Sequence, residues 1–234
     1  MNSLALSACA VIALSLPGFS QSMSWDTSGT QGDNGPGNEL VFGNGAHGFT
    51  ATSWGYTAGK RNQAFEAGMS VIYSNGIGVT NADEKNPFRI PEHQLDNAKG
   101  NEWMLFVFEG PVSDVSIKVD PYGTWDRDVT YYTANLSGQI DLAGLTYADL
   151  EGLGFGERTD DFSTRGGDSR DVSVSGGGTF NAILIGAMQG KPGGKRDVDR
   201  FKISSLDATY LVPEPSSALL GGLGALLLLR RRER

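Results

Sequence analysis

The sequence predicts an all-β domain built from two packed antiparallel sheets. The chain has 33 glycines among its 234 residues, many in turn-like pairs such as Asn44-Gly45 and Asn75-Gly76. Short runs rich in Val, Ile, Tyr, Phe and Thr lie between these turns, which is typical of strands. About nine or ten such runs are present, a number that favours two sheets packed face to face.

The candidate strands follow from these runs. In chain order they cover residues 40–42, 49–56, 65–73, 103–108, 112–119, 129–133, 171–175, 180–187 and 200–210. Residues 115–119 alternate between apolar and polar side chains, which predicts one buried face. Residues 104–108 and 182–185 are apolar on both faces, which predicts central strands.

One short helix is expected over residues 146–153. Thr146 is its N-cap, Asp149 three residues later forms a variant of the capping box, and Gly154 ends it. We expect this helix to cross from one sheet to the other.

The N-terminal residues 1–22 have the pattern of a signal peptide, formed as a short helix. Residues 4–16 are apolar, and a small-residue cleavage site ends at Ser22. Cleavage there would remove Cys9, the only cysteine, so the mature chain would have no thiol for a disulfide, a zinc site or a nucleophile. Residues 23–211 are then long enough for one β-sandwich domain.

The C-terminal residues 212–234 combine three features. Pro213, Glu214 and Pro215 break any preceding strand, and residues 216–229 carry no charge. The chain closes with the cluster Arg230, Arg231, Arg232 and Arg234. The uncharged run would extend about 21 Å as a helix, so flanking arginines are needed to complete a membrane span with the C-terminus in the cytoplasm. The alternative is a buried core helix.

These tail residues resemble the PEP-CTERM sorting signal of exported bacterial proteins. The resemblance covers Val212-Pro213-Glu214-Pro215-Ser216, the Gly/Leu-rich run and the arginine cluster. It implies recognition and cutting by the membrane enzyme exosortase. The protein would then be anchored transiently by its tail before it reaches the cell surface or the extracellular matrix.

A second resemblance spans roughly residues 71–210. Its motifs include Gly76-Ile77-Gly78-Val79, Glu102-Trp103-Met104-Leu105-Phe106, Asp126-Arg127-Asp128-Val129 and Asp199-Arg200-Phe201-Lys202-Ile203. Their order is similar to that in exported β-sandwich proteins with PEP-CTERM tails. The resemblance implies a jelly-roll-like surface domain with no assigned ligand.

The net charge of the domain favours some classes of binding partner over others. Once the four tail arginines, Glu214 and Glu233 are set aside, 15 basic and 25 acidic residues remain, a net charge of −10. Such a domain repels nucleic acid and anionic lipid. Divalent cations, neutral glycans and proteins are the partners that the charge favours, with an extracellular polysaccharide as a candidate partner, although the same charge also serves solubility.

Four acidic residues form a candidate calcium site: Asp96, Glu102, Asp126 and Asp128. Calcium takes six to eight oxygen ligands, which loops at one end of a sandwich can supply. If residues 112–119 run back along residues 103–108, the loops that carry these acids meet at the same end. The alternative is that Asp and Asn side chains cap turns through their own backbone.

Trp125 is a candidate ligand-binding residue because it stands beside Asp126 in a loop containing Pro and Gly. An aromatic face can stack on a sugar ring while carboxylates accept hydroxyl protons. The chain has two histidines and lacks the G-x-S-x-G and H-E-x-x-H motifs, so we expect no catalytic residues. The sequence therefore favours an exported, non-catalytic binding or structural module that binds glycans with calcium; the alternative is a secreted carbohydrate-active enzyme.

Overall fold

The computed structural model confirms the all-β prediction. It describes residues 19–29, 37–43, 47–58, 63–84, 93–190 and 197–212. The strands in these ranges are β1 (Phe19–Asp26), β2 (Glu39–Phe42), β3 (Phe49–Ala58), β4 (Ala64–Ala67), β5 (Met69–Tyr73), β6 (Gly76–Thr80), β7 (Leu95–Asp96), β8 (Asn101–Asp120), β9 (Val129–Ala134), β10 (Thr159–Asp161), β11 (Arg170–Val174), β12 (Phe180–Ala187) and β13 (Arg200–Val212).

Strand β8 organises the other strands. Its first half pairs antiparallel with β3 on one side and with β12 on the other. Its second half pairs antiparallel with β11 and β13. The two halves meet at Glu109-Gly110-Pro111, where proline lacks the N–H needed to continue a regular ladder. The strand therefore changes partners at this point.

The structure differs from the sequence prediction in this region. Residues 103–108 and 112–119 were expected to be two strands running in opposite directions, but they belong to one continuous strand. Nevertheless, the loops before and after β8 meet, because the backbone N–H of Tyr122 donates to Gln94 Oε1 at 2.7 Å. The strand brings its ends together by bending rather than by a tight hairpin.

Two groups of strands result. Around the first half of β8 the order is β3, β8, β12, β9 and β10, with β2 and β4 on the outer edge of β3. Around the second half the order is β11, β8, β13, β6 and β5, and β1 and β7 also pair with β13. Because β8 belongs to both groups, hydrogen bonds connect all these strands into one large sheet.

The first half of β8 is apolar on both faces because each face packs in a separate core. Met104, Phe106 and Phe108 join side chains from the second group, such as Ile117 and Ile203, in the larger cluster. Trp103, Leu105 and Val107 enter a smaller cluster on the opposite face, together with Leu184 of β12. The prediction that residues 104–108 and 182–185 form central strands is therefore confirmed.

The expected short helix consists of two consecutive 3₁₀ turns, Tyr147–Asp149 and Glu151–Leu153. The N–H and Oγ1 of Thr146 both donate to Asp149 Oδ2, at 2.7 and 2.8 Å. Gly154 ends the segment with a φ of 95°, which favours glycine. The segment does not cross between the strand groups, since it connects β9 and β10, which pair with each other; instead, Leu150 and Phe155 cover the smaller core.

Residue contacts place Gln21–Leu211 in one compact unit. The predicted signal peptide lies almost entirely outside the described residues, although β1 begins at Phe19, before the expected cleavage site. The tail motif Pro213, Glu214 and Pro215, the transmembrane segment and the arginine cluster also lie outside them. Among the residues that are described, no helix has the length and apolar character required to cross a membrane.

Candidate metal centre

Three carboxylates converge at the end of the domain where the loops flanking β8 meet. Asp126 and Asp128 lie in the loop between β8 and β9, and Asp199 lies just before β13. One ligand oxygen from each can be chosen so that all three lie within 4.8 Å of one another. Two oxygens that bind one calcium ion at about 2.3–2.6 Å lie no more than about 5 Å apart. The spacing of this carboxylate triad therefore suits a shared cation.

Backbone hydrogen bonds align the two segments of the triad. Asp126 and Asp199 form an isolated parallel bridge, and the N–H of Arg200 donates to the Asp126 carbonyl at 3.0 Å. The N–H of Asp128 donates to Asp199 Oδ1, also at 3.0 Å. These contacts hold the carboxylates in place through the main chain.

Asp199 is the buried member, with 3% of its surface exposed. Its Oδ2 accepts a hydrogen bond from Asn97 Nδ2 at 2.6 Å, and its own N–H donates to Asn97 Oδ1 at 3.1 Å. Burial, followed by the charges of Asp128 and Asp126, raises the pKa of Asp199 to about 7. Yet both carboxylate oxygens accept N–H donors, a pattern that fits the ionised form. A nearby cation would reconcile the hydrogen bonding with the electrostatics.

Asp126 and Asp128 are partly exposed, and each accepts a backbone hydrogen bond through its Oδ1 atom. Asp128 Oδ1 accepts the N–H of Ser163 at 2.5 Å, and Asp126 Oδ1 accepts the N–H of Arg127 at 3.0 Å. The Ser163 hydroxyl donates to Asp126 Oδ1 at 3.4 Å. Burial raises the pKa of Asp128, and hydrogen bonds from Ser163 oppose that rise. Because both carboxylates are partly exposed, they can meet an ion to which solvent supplies the remaining ligands.

Arg127, the nearest arginine in sequence, does not neutralise the triad. Its guanidinium donates to the carbonyls of Thr164 and Asp168 instead. A Cβ at Gly166 would lie 2.8 Å from Arg127 Nη2, so a larger residue there would displace the guanidinium. Arg127 therefore fastens the loop between β10 and β11 against the loop that carries Asp126 and Asp128.

The other two predicted ligands, Asp96 and Glu102, are not part of the triad. Asp96 Oδ2 lies 3.3 Å from Arg200 Nε. Glu102 is fully buried and accepts hydrogen bonds from Asn81 Nδ2 and from the N–H of Asp96, each at 3.0 Å. Burial, together with Asp96 and Glu84, raises the pKa of Glu102 well above its usual range. Glu102 is better suited to a protonated structural role than to binding a cation.

Trp125 lies next to the triad and is partly buried. The guanidinium carbon of Arg200 lies 4.5 Å from the centre of its ring, and that of Arg165 lies 5.8 Å away. Its indole N–H donates to the Tyr122 carbonyl at 3.0 Å. The two guanidinium groups therefore compete with a sugar for the faces of the Trp125 ring.

Sequence reasoning missed Asp199 and a buried lysine. Lys202 is 1% exposed, with its ammonium group 5.0 Å from the ring of Tyr73 and 5.6 Å from that of Tyr122. Burial lowers the pKa of Lys202 to about 8. Asp199 belongs to the motif Asp199-Arg200-Phe201-Lys202-Ile203 and stands directly before a strand, but neither feature identifies it as a ligand, because many turn residues precede strands. Comparisons with protein-family models, curated proteins and solved structures found no match to this chain.

Proposed function

We propose that this chain is an exported cell-surface or extracellular-matrix protein that acts as a non-catalytic binding module with a calcium ion at the carboxylate triad. One observation carries the proposal: Asp126, Asp128 and Asp199 converge from separate segments within 4.8 Å. Nearby Arg127 bonds main-chain carbonyls, and Arg170, whose charge lowers the pKa of Asp128, forms an ion pair with Asp161. Calcium prefers this all-oxygen ligand set and would supply further positive charge to the three carboxylates.

A jelly-roll-like sandwich of two sheets is part of the proposal. The exchange of partners halfway along β8 supports it, as does the core shared by the two strand groups. In this arrangement the triad lies at one end of the sandwich, where loops from different strands can enclose an ion.

Thermal unfolding tests the calcium site. We expect millimolar calcium to raise the Tm of the full-length protein relative to a sample in chelator, because the ion binds the native state preferentially. At a concentration one hundred times Kd the gain is about 2.7 kcal/mol, or roughly 5 to 10 °C for a domain of this size.

The Asp126→Asn/Asp128→Asn variant should lose this shift. The matched control is Asp171→Asn/Asp207→Asn, which changes the net charge equally at two exposed strand residues. An unchanged melt in calcium, or a full shift in the Asp126/Asp128 variant, would exclude the site.

The PEP-CTERM-like tail supports export and sorting by an exosortase-type enzyme. Replacing Arg230, Arg231, Arg232 and Arg234 with Asn should impair tail insertion and surface delivery, because the short apolar run depends on those charges for its orientation. Replacing the same four residues with Lys keeps the charge and should preserve sorting. Cell fractionation distinguishes the two variants, and normal location of the Asn variant would contradict this role of the charges.

The raised pKa of Asp199 is the one observation that favours the alternative, a secreted carbohydrate-active enzyme. A general acid must reach its substrate, however, and both oxygens of this buried carboxyl already accept protein N–H groups. A panel of polysaccharides tests the point. Hydrolysis by the natural protein that disappears in Asp199→Asn would replace the binding proposal with the enzymatic one.

A further inference from the structure

A groove of about 680 Å³ lies beside the carboxylate triad. Asn97 belongs to both places, because it lines the groove and donates to Asp199 Oδ2. Ligand sites for small molecules commonly measure about 300–1,000 Å³. The groove is thus large enough for a short stretch of an oligosaccharide.

Two tyrosines form a fixed aromatic wall in this groove. The rings of Tyr56 and Tyr147 stack with centroids 3.8 Å apart and an interplanar angle of 18°. Phe65 packs against both rings in T-shaped contacts, with ring centroids 5.0 and 5.3 Å away. Trp103 Nε1 donates to the Tyr147 hydroxyl at 3.2 Å. Rigid, partly exposed aromatic rings lose little conformational entropy on binding, which suits the apolar face of a pyranose ring.

Two polar side chains of the groove, Arg158 and Gln189, offer hydrogen-bond donors. Arg158 uses Nε and Nη2 to bind Asp160 and the Gln189 carbonyl, while its Nη1 has no partner within the described ranges. Gln189 Oε1 accepts a hydrogen bond from the Tyr132 hydroxyl, which leaves the Gln189 amide NH₂ as a donor. Burial raises the pKa of Tyr147, so its hydroxyl keeps its proton at neutral pH. A ligand with many acceptor oxygens would satisfy these donors.

The charge of the lining differs from that of the protein as a whole. The charged side chains that line the groove within the described residues are Lys99 and Arg158, whereas the chain carries a net charge of −8. A carboxylate ligand would meet Lys99 and the Nη1 of Arg158 there, while the Nε and Nη2 of Arg158 stay paired with Asp160.

We propose that this groove binds an acidic polysaccharide, with a uronate carboxylate at Arg158 and Lys99 and a sugar ring against Tyr56 and Tyr147. This inference rests on the proposed function as a binding module, but it does not depend on the calcium site. It assigns the ligand to the groove rather than to Trp125.

Calorimetric titration of the full-length protein tests the assignment at about 0.15 M salt, where long-range charge effects are screened. The probes are an oligogalacturonate and a neutral maltooligosaccharide of equal length, each in chelator and again in calcium. We expect the acidic probe to bind in both conditions and the neutral probe to bind about tenfold more weakly or not at all.

Substitutions of residues that line the groove test whether the acidic probe binds there. Arg158→Gln should weaken binding of the acidic probe by about tenfold, and Lys99→Gln, which leaves the Arg158–Asp160 pair intact, should weaken it several-fold. Tyr56→Ala should weaken it by about tenfold through loss of the aromatic surface. Lys118→Gln is the charge-matched control, since Lys118 is exposed on the second half of β8, and it should bind like the natural protein. Equal Tm values for the variants show that folding is unchanged.

The outcomes separate this inference from the proposed function. Absence of acidic-probe binding overturns the groove assignment but leaves a calcium-induced Tm shift unaffected. Equal binding of both probes overturns the acidic specificity. Binding that requires calcium and fails in Asp126→Asn/Asp128→Asn, but survives in Arg158→Gln and Tyr56→Ala, would overturn the assignment by placing the sugar at the triad.

Discussion

The buried carboxyl of Asp199 makes the stability of the domain depend on pH in the absence of calcium. Its folded-state pKa of about 7 lies above the ordinary value of 3.8. Between these values the folded protein keeps a proton that the unfolded chain has released, so the free energy of unfolding falls as pH rises. From about pH 5 to about pH 8 the loss is roughly 2 to 3 kcal/mol, at 1.36 kcal/mol for each pKa unit crossed.

Differential scanning calorimetry in chelator measures this loss, which corresponds to a fall in Tm of roughly 5 to 10 °C. Asp199→Asn is the reference variant because its side chain does not titrate. This variant loses a hydrogen bond to Asn97, which lowers its free energy of unfolding by about 1 kcal/mol at every pH. Glu102, Asp120 and Asp128, whose pKa values burial also raises, titrate in both proteins. If the Tm of the natural protein and that of Asp199→Asn change equally with pH, this reasoning is refuted.

Three further predictions concern the fold. Leu184→Ala, in the smaller core, should lower the free energy of unfolding by about 2–5 kcal/mol, whereas Val41→Ala at a 65% exposed site should change it by less than about 0.5 kcal/mol; urea denaturation measures both. Gly78→Ala should destabilise strongly because its Cβ would overlap a backbone carbonyl oxygen, while Gly178→Ala meets nothing within 4 Å and should be nearly neutral in the same assay. A chain of residues 23–211 should melt cooperatively with or without dithiothreitol, since it has no cysteine; a non-cooperative melt with strong dye binding would contradict this domain boundary.

Much of the strand pattern could be predicted from local sequence. Residues 49–56, 129–133 and 180–187 fall within β3, β9 and β12 because β-branched and aromatic side chains suit a pleated, buried surface. The predicted strand over residues 65–73 is divided at Gly68 into β4, which pairs with β3, and β5, which pairs with β6. Strand β6 was not predicted, because Gly76 and Gly78 resemble turn residues although both accommodate close backbone contacts.

The candidate metal site likewise contains residues that local sequence could identify and one that it could not. Asp126 and Asp128 could be identified from sequence because they are two residues apart in one loop. Asp199 could not, since its place beside them depends on the pairing of β13 with β8, a contact between segments about eighty residues apart. Glu102 was predicted as a ligand from its sequence neighbours. Its burial against Asn81 and Asp96 follows from β-sheet packing that composition does not reveal.

The sequence alone determined the all-β class, the central strands and the capped turn at Thr146, because each depends on the conformational preferences and burial of neighbouring residues. Tertiary structure alone decided that residues 101–120 form one bent strand, that its ends meet, and that Asp199 rather than Glu102 completes the triad. It also created the groove at Tyr56 and Tyr147, whose residues are far apart in the chain. These features arise from long-range pairing and packing, in which the partner of a residue is set by the fold as a whole.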